Sequence, residues 1–109
     1  MENLFSYGTL QYPSVQQNSF GRLLEGERDY LLGYKIEQTK IEDATVVATS
    51  GDEYHPIAIY TGNVDDSISG MVFSITKEEL QKSDAYEVSQ YKRVGVKLKS
   101  GKDAWVYVR

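Results

Sequence analysis

Two carboxylates near the end of a predicted helix are the first candidates for chemistry in this sequence. In the segment TKEELQKSDAYEVSQYKRV, Leu80 is the one strongly apolar residue of the early turns, so we expect it to face the core. Asp84 and Glu87 follow Leu80 by four and seven residues, which places them on roughly the same helix face. Burial would raise the pKa of an inward Glu87, which could then act as general base and acid near neutral pH.

The same segment has a second interpretation, in which the helix ends near Asp84 and both carboxylates are solvated. Periodicity alone does not choose between the two. The start of the helix is better marked, because Thr76 can cap the first turn and Glu79, three residues later, can bond back to it. This capping box predicts a helix from Lys77 to about Tyr86.

A turn after the first predicted strand is the second candidate site. The apolar run in LFSYGTL stops at Tyr7, Gly8, Thr9 and Leu10. Glycine has no Cβ, so a ligand could approach the main-chain N–H groups of Gly8, Thr9 and Leu10. Successive N–H groups in a turn form an anion-binding site that suits a carboxylate. Glycine after a strand is more often only a turn, and this interpretation stays open.

Composition and charge exclude several classes of function. The chain has 109 residues and no cysteine, which excludes disulfides, thiolate catalysis and cysteine metal sites and fits a reducing cytoplasm. A net charge of −4 argues against nucleic-acid binding. We see no apolar stretch long enough to span a membrane and no secretory signal. We therefore expect a cytoplasmic protein with no nucleic-acid or membrane partner.

Other familiar reaction centres lack their sequence signatures. His55 is the one histidine, so a metal site would need several carboxylates around it, and we predict no metal and no cofactor. A Ser-His-Asp triad with His55 is formally possible, but no Gly-x-Ser-x-Gly motif accompanies it. The sequence contains no phosphate-binding Gly-x-x-x-x-Gly-Lys motif either.

The apolar pattern predicts one domain over residues 1–109, with five to seven strands and one clear helix. The predicted strands are residues 3–7, 30–40 and 45–49, the segments HPIAIYTG and GMVFSI, and a hairpin in which Ser100-Gly101 leads to a last strand through Tyr107. Gly33 predicts a bulge or a close backbone approach within the second strand, and Pro56 must lie at the start or edge of its strand. Residues 11–27 are predicted as a loop or a short helix.

These elements define the expected fold class. Strands and helices do not alternate regularly, so a doubly wound parallel sheet is disfavoured. GMVFSI is apolar on both faces, which predicts a strand that is covered on both sides. We expect an α+β fold, a small mixed β-barrel with peripheral helices.

Several segments, in order along nearly the whole chain, resemble the γ-glutamylcyclotransferase-like family. LFSYGTL is similar to its Tyr-Gly-Thr/Ser-Leu/Asn opening, LLGYKI to its Leu-x-Gly-Tyr segment, and YHPIAIYTG to its Tyr-Pro-Ala-Ile strand. ISGMVFSIT resembles its Val-x-Gly-Glu-Val-Tyr strand, and AWVYV its closing strand. SDAYEVSQYKRV is similar to its Leu-Asp-x-Tyr-Glu-(x)₃-Tyr-x-Arg segment.

The resemblance implies a small mixed β-barrel and an intramolecular aminolysis. The α-amine of a γ-glutamyl group attacks its own γ-carbonyl, giving 5-oxoproline and a released amine. The family's catalytic glutamate corresponds to Glu87. A positioned carboxylate can take a proton from the α-ammonium and return it to the leaving amine. Ring closure within one molecule needs no cofactor, because the enzyme has only to hold the reactive conformer.

The resemblance also implies binding residues for the small-molecule γ-glutamyl substrate. Residues 7–10 correspond to the loop that binds the glutamyl moiety, largely through main-chain N–H groups. Tyr91 and Tyr107 match family tyrosines near the pocket, although each could be an ordinary barrel residue. Arg93 matches the Tyr-x-Arg position, where a structural ion pair is at least as good an interpretation as substrate contact.

The sequence departs from the family pattern at three positions. Ser83 replaces the usual Leu, Val88 the usual Gly after the glutamate, and Met71 a common Glu. These departures leave two other hypotheses open. One is a non-catalytic binding or interaction module on the same barrel, and the other is an unrelated small barrel with a chance Tyr-Gly-Thr.

Overall fold

The structure is a computed structural model, which describes residues 1–40, 54–86 and 91–109. In these ranges the chain forms one mixed sheet of seven strands and two α-helices. The strands are β1 Glu2–Ser6, β2 Glu25–Leu32, β3 Tyr34–Lys40, β4 Tyr54–Tyr60, β5 Ser67–Ile75, β6 Lys92–Lys97 and β7 Asp103–Val108. The helices are α1 Pro13–Phe20 and α2 Lys77–Tyr86, and a 3-10 turn covers Thr9–Gln11. The α+β class predicted from the sequence is confirmed.

Strand β7 lies at the centre of the sheet. The hydrogen-bonded order is β2-β5-β1-β7-β4-β3, and β6 pairs with β7 as the second arm of an antiparallel hairpin. The contacts of β7 with β1 and β4 are parallel and short: Leu4 lies opposite Trp105, and Ala58 lies opposite Val108. The predicted hairpin around Ser100-Gly101 is confirmed.

The sheet curls like a barrel but is not closed by a continuous ladder. Within the described ranges β2 pairs with β5 and β3 pairs with β4, and no ladder joins β2 to β3. The β6–β7 hairpin instead reaches β2 near its tip, where the Lys99 N–H donates to the Tyr30 carbonyl at 2.9 Å. The buried Asp29 carboxylate accepts the Ser100 hydroxyl at 2.5 Å and the Ser100 N–H at 3.2 Å. Burial raises the pKa of Asp29, but these hydrogen bonds and one from the Tyr30 N–H outweigh it and lower the pKa overall.

Two clusters of buried side chains fill the interior, one against each face of the central strands. Phe5 and Val72 belong to one cluster, whereas Leu4, Phe73 and Ile75 belong to the other. Neighbouring residues of a strand point to opposite faces, so β1 and β5 are covered on both sides. The prediction for GMVFSI is confirmed.

One predicted strand is wrong, because residues 30–40 form parts of two strands. Gly33 separates β2 from β3 with φ +82°, a left-handed conformation that glycine adopts easily. Its N–H donates to the Asp66 carbonyl at 2.8 Å. The sequence analysis predicted a bulge or a close backbone approach at Gly33. The chain passes there from one part of the sheet to another, and the Gly33 carbonyl accepts the Thr61 N–H at 2.8 Å, so the backbone does approach closely.

The remaining elements follow the local sequence. Within the polar segment 11–27, α1 begins at Pro13 and ends at Gly21 with φ +71°, and β2 then starts at Glu25. Pro56 lies near the start of β4, two residues before that strand meets β7, as predicted. The strand predicted at 45–49 lies outside the described residues. Of the helices described, none has the length and apolarity needed to cross a membrane.

Helix α2 begins with the predicted capping box. The Thr76 hydroxyl accepts the Glu79 N–H at 3.1 Å, and the Glu79 carboxylate accepts the Thr76 N–H at 2.8 Å. The same carboxylate receives two hydrogen bonds of 2.7 Å from Arg22, which lies just beyond α1. These Arg22 bonds lower the pKa of Glu79 to about 2. The two helices are thereby joined at the start of α2.

Candidate functional site

The turn predicted from LFSYGTL leaves β1 after Ser6 and enters the 3-10 turn at Thr9. Gly8 immediately precedes the 3-10 turn, and its carbonyl accepts both the main-chain and the side-chain N–H groups of Gln11 at 3.2 Å. Thr9 and Leu10 are buried. The first N–H groups of a helical turn lack partners within that turn. The N–H groups of residues 8–10 therefore lie at the start of a short helical turn.

Gln16 holds this turn in place and was missed by the sequence analysis. Its side-chain amide donates to the Leu10 carbonyl at 2.9 Å, and its amide oxygen accepts the Leu24 N–H at 2.9 Å. Gln16 is buried, with only 4% of its surface exposed. A buried glutamine satisfies both halves of its amide in this way. Nothing in the polar sequence of α1 distinguishes Gln16 from the neighbouring Gln17.

A small cavity lies between this turn, the start of β4 and the end of β7. Its volume is about 40 Å³, and it opens to solvent on one side. The lining residues are Leu4, Phe5, Ser6, Tyr7, Gly8, Thr9, Leu10, Pro56, Tyr91 and Tyr107. The structure thus brings together all six residues that the sequence analysis assigned to substrate binding, although they come from both ends of the chain.

Gly8 contributes open space to this cavity. A Cβ atom added at Gly8 would lie 3.6 Å from Cγ of Pro56, an ordinary van der Waals contact. The φ angle of Gly8 is −124°, which other residues also adopt. The backbone conformation therefore does not require glycine here, and the missing side chain instead leaves room between the turn and Pro56.

Tyr7 joins two parallel strands beside the cavity. Its phenol donates to the Tyr107 carbonyl of β7 at 2.5 Å and accepts the Ala58 N–H of β4 at 2.9 Å. Tyr91 makes a similar contact, with its phenol donating to the Pro56 carbonyl at 2.6 Å. These two phenols hold the backbone that forms the cavity wall.

The Tyr107 phenol bonds to the last turn of α2. Its oxygen lies 2.7 Å from Oδ1 of Asp84 and 2.6 Å from Oγ of Ser83. The protons of Tyr7, Tyr91 and Tyr107 thus all have acceptors within the protein. The main-chain N–H groups of the turn remain the better candidates for contact with an anionic ligand.

Asp84 lies at the edge of the site rather than deep inside it. Its side chain is 39% exposed and pairs with Nε of Arg93 at 3.1 Å. The Arg93 guanidinium lies 4.5 Å from the centre of the Trp105 ring, a cation–π contact. Leu80 is buried as predicted, and in the last turn of α2 Ser83 is buried whereas Asp84 is not. The expectation that Asp84 shares the inward face of Leu80 is therefore only partly met, whereas Arg93 forms the expected structural ion pair.

Glu87, the predicted catalytic residue, lies outside the described residues. Helix α2 ends at Tyr86, so Glu87 is the next residue in the chain. Tyr91, where the described structure resumes, lines the cavity. Among the side chains that the structure describes, no three potential ligands of the His, Cys, Asp and Glu types group closely enough to hold a metal ion.

A sequence model of one protein family matches nearly the whole chain. The family is described as gamma-glutamyl cyclotransferase, AIG2-like, and its model matches residues 4–109. No curated protein matches the sequence.

Three solved structures share the fold. The solution structure of one Arabidopsis thaliana protein has a TM-score of 0.74 and is 23% identical in sequence. The match covers 98% of this chain and 67% of the Arabidopsis chain. The solution structure of a second Arabidopsis thaliana protein has a TM-score of 0.70 and is 21% identical in sequence. The match covers 98% of this chain but only 61% of that protein. The crystal structure of an uncharacterized Pyrococcus horikoshii protein gives a TM-score of 0.69 and 21% identity, over 99% of this chain and 77% of its own.

Proposed function

Because the chain belongs to the gamma-glutamyl cyclotransferase, AIG2-like, family, we propose that it cyclises a small γ-glutamyl amide to 5-oxoproline and a free amine. The observation that carries this proposal is the cavity at the Tyr-Gly-Thr-Leu turn. It brings together main-chain N–H groups, a position without a side chain and three tyrosines. The substrate class comprises γ-glutamyl amino acids, γ-glutamylamines and related amides.

Glu87 acts as the general base and then as the general acid of this reaction. Its carboxylate takes a proton from the substrate α-ammonium, and the freed amine attacks the γ-carbonyl carbon. The new C–N bond closes the five-membered ring, and the bond to the leaving amine breaks as Glu87 returns the first proton to that amine. Glu87 then takes the second proton from the ring nitrogen and passes it to the freed amine, which leaves as an ammonium. Atoms and charges balance without water, metal or cofactor. The correspondence of Glu87 to the family's catalytic glutamate in the segment SDAYEVSQYKRV supports this role.

The turn at residues 8–10 binds the α-carboxylate of the substrate. Main-chain N–H groups at the start of a short helical turn favour an anion. The space left by the missing side chain of Gly8, beside Pro56, admits a group of carboxylate size. The rest of the substrate extends toward the open side of the cavity, so the leaving amine is only loosely recognised by the described residues.

The tyrosines act mainly through their rings and through the backbone that they hold. Tyr7 and Tyr91 fix the strands on either side of the cavity, and Tyr107 forms part of its wall. Holding the substrate in a folded conformer brings its amine close to its own γ-carbonyl. Orientation of this kind supplies a large part of the rate enhancement in a ring closure.

The test is to incubate the protein with a panel of γ-glutamyl compounds and to measure 5-oxoproline. We expect release with at least one compound, and a loss of about 10²–10⁴-fold in Glu87→Gln, because an amide cannot take the proton. Glu78→Gln is the matched control, since Glu78 is exposed on the first turn of α2. Full activity in Glu87→Gln would overturn the mechanism.

The same panel distinguishes the non-catalytic alternative. A module that only binds should retain a γ-glutamyl compound in equilibrium dialysis and release no 5-oxoproline. Wild-type protein that binds without turnover would therefore favour a binding function on this fold. Protein that neither binds nor converts any γ-glutamyl compound would overturn the proposed substrate class.

A further inference from the structure

The last turn of α2 bonds to β7 through the Tyr107 phenol. The Tyr107 hydroxyl lies 2.7 Å from the Asp84 carboxylate and 2.6 Å from the Ser83 hydroxyl. Ser83 Oγ in turn lies 2.8 Å from the Leu80 carbonyl. Two adjacent helix residues thus meet one side chain of the central strand, which also lines the cavity.

The number of protons restricts how these groups can bond. A carboxylate can only accept, whereas each hydroxyl has one proton to donate. In one arrangement Ser83 donates to Tyr107 and Tyr107 donates to Asp84. In the other, Ser83 donates to Leu80 and Tyr107 again donates to Asp84. In both arrangements the Tyr107 phenol donates to Asp84, so this hydroxyl joins β7 to the end of α2.

Asp84 is itself held by the hairpin. Arg93, on β6, pairs with its carboxylate at 3.1 Å and stacks over Trp105 of β7. The last turn of α2 therefore contacts both strands of the hairpin through charged or hydroxyl groups. Charge-assisted bonds of this kind are stronger and more directional than bonds between neutral groups.

We propose that Asp84 is a positioning residue for the reaction: by accepting from Tyr107 it fixes the end of α2, from which Glu87 follows, against the cavity. This inference rests on the proposed function. In this proposal Tyr107 has a role distinct from substrate contact. Ser83, which departs from the family pattern, has its hydroxyl within hydrogen-bond distance of the same phenol.

Kinetics of four variants test the proposal. Asp84→Ala and Tyr107→Phe should each lower kcat about 10–100-fold while KM changes little, because misplacing a catalytic group has effects of this size. Asp84→Asn should restore most of kcat, since its amide oxygen still accepts from the phenol. Asp103→Ala is the matched control, because Asp103 forms an exposed ion pair with Lys97 on the same hairpin. It should leave kcat and KM unchanged.

The double variant Asp84→Ala/Tyr107→Phe sharpens the test. If the two residues act as one unit, the double variant should lose about as much kcat as either single variant loses. Multiplied losses, or a wild-type kcat in Asp84→Ala, would overturn the proposal.

Amide hydrogen exchange separates this proposal from the proposed function, because it requires no activity. Exchange at residues 83–86 should be about tenfold faster in Asp84→Ala and Tyr107→Phe, and unchanged in Asp103→Ala. Unchanged exchange in an active protein would overturn the positioning role alone. Wild-type protein that forms no 5-oxoproline would overturn the reaction and the role of Asp84 in it, even where the exchange result holds.

Discussion

Tyr7 donates its phenol proton to the Tyr107 carbonyl across 2.5 Å, although the two residues are 100 positions apart in the chain. The same oxygen accepts the Ala58 N–H at 2.9 Å. Strands β4 and β7 pair at a single position, Ala58 opposite Val108, so the phenol extends their contact beyond that pair. The tyrosine of the Tyr-Gly-Thr-Leu motif is therefore part of the framework that holds the cavity open.

Replacing Tyr7 by Phe should destabilise the protein by about 1–3 kcal/mol, because the change removes the hydroxyl that the Ala58 N–H and the Tyr107 carbonyl share. The ring itself is retained, so little hydrophobic contact is lost. Urea denaturation measures the change in the free energy of unfolding.

Tyr60→Phe is the control for that experiment, since Tyr60 is 72% exposed. Its unfolding free energy should lie within about 0.5 kcal/mol of the wild-type value. Equal losses in the two variants would contradict a specific role for the Tyr7 hydroxyl.

Replacing Gly8 by Ala should impair substrate binding without unfolding the protein. The new methyl group would stand 3.6 Å from Pro56 Cγ and occupy part of the cavity. We expect KM for a γ-glutamyl substrate to rise about tenfold, equivalent to about 1.4 kcal/mol of binding energy. Steady-state kinetics and a thermal melt measure the two effects separately.

Gly95→Ala is a matched control for this variant. A Cβ at Gly95 would also meet a neighbour at an ordinary distance, 3.7 Å from the Trp105 ring, and Gly95 does not line the cavity. Its KM should equal that of the wild type. If Gly8→Ala also retains the wild-type KM, the space beside Pro56 does not receive the substrate.

The pairing of Glu79 with Arg22 should make stability depend on pH in the acid range. The pKa of Glu79 is about 2 in the folded protein, below its ordinary value of 4.5. The stabilisation is therefore complete above pH 4.5 and is lost as pH falls toward 2. Glu79→Gln keeps an acceptor for Thr76 and removes the charge, which should cost about 1 kcal/mol at pH 7.

Urea denaturation at pH 7 and pH 3 tests this dependence. The difference between wild type and Glu79→Gln should fall to roughly half or less at pH 3. Glu78→Gln, an exposed change in the same helical turn, should have little effect at pH 7. A Glu79→Gln difference that stays constant between the two pH values would contradict the assigned role of the ion pair.

Features that depend on neighbouring residues were predictable from the sequence. The capping box of Thr76 and Glu79 has the predicted hydrogen bonds, and α2 has the predicted bounds. Both faces of GMVFSI are covered, because Met71, Phe73 and Ile75 place apolar side chains on one face of the strand and Val72 places one on the other. Of the residues around the cavity, the turn at Gly8, Thr9 and Leu10 was a candidate because of its glycine, whereas Tyr91 and Tyr107 were assigned only through the resemblance to a family.

Features that depend on distant residues were not predictable. Residues 30–40 were predicted as one strand with a bulge or close approach at Gly33, because the local sequence does not show that β2 and β3 pair with different strands. The acceptors of the Tyr7 and Tyr107 phenols depend on parallel contacts between the two ends of the chain. Gln16 is buried because the turn at Leu10 needs a donor, a requirement that arises only after folding.

The central place of β7 determines when the site can form. In the described part of the chain, β2, β5 and β1 make one set of ladders and β3 and β4 another, and β7 alone pairs with both sets. Residues 103–108 follow the other described strands in the sequence, so the two sets can join only after this segment has been synthesised. Contacts of such long sequence separation slow folding. The cavity also needs Tyr107, whose side chain lines it and whose carbonyl accepts the Tyr7 phenol, so the site cannot form before β7 joins the sheet.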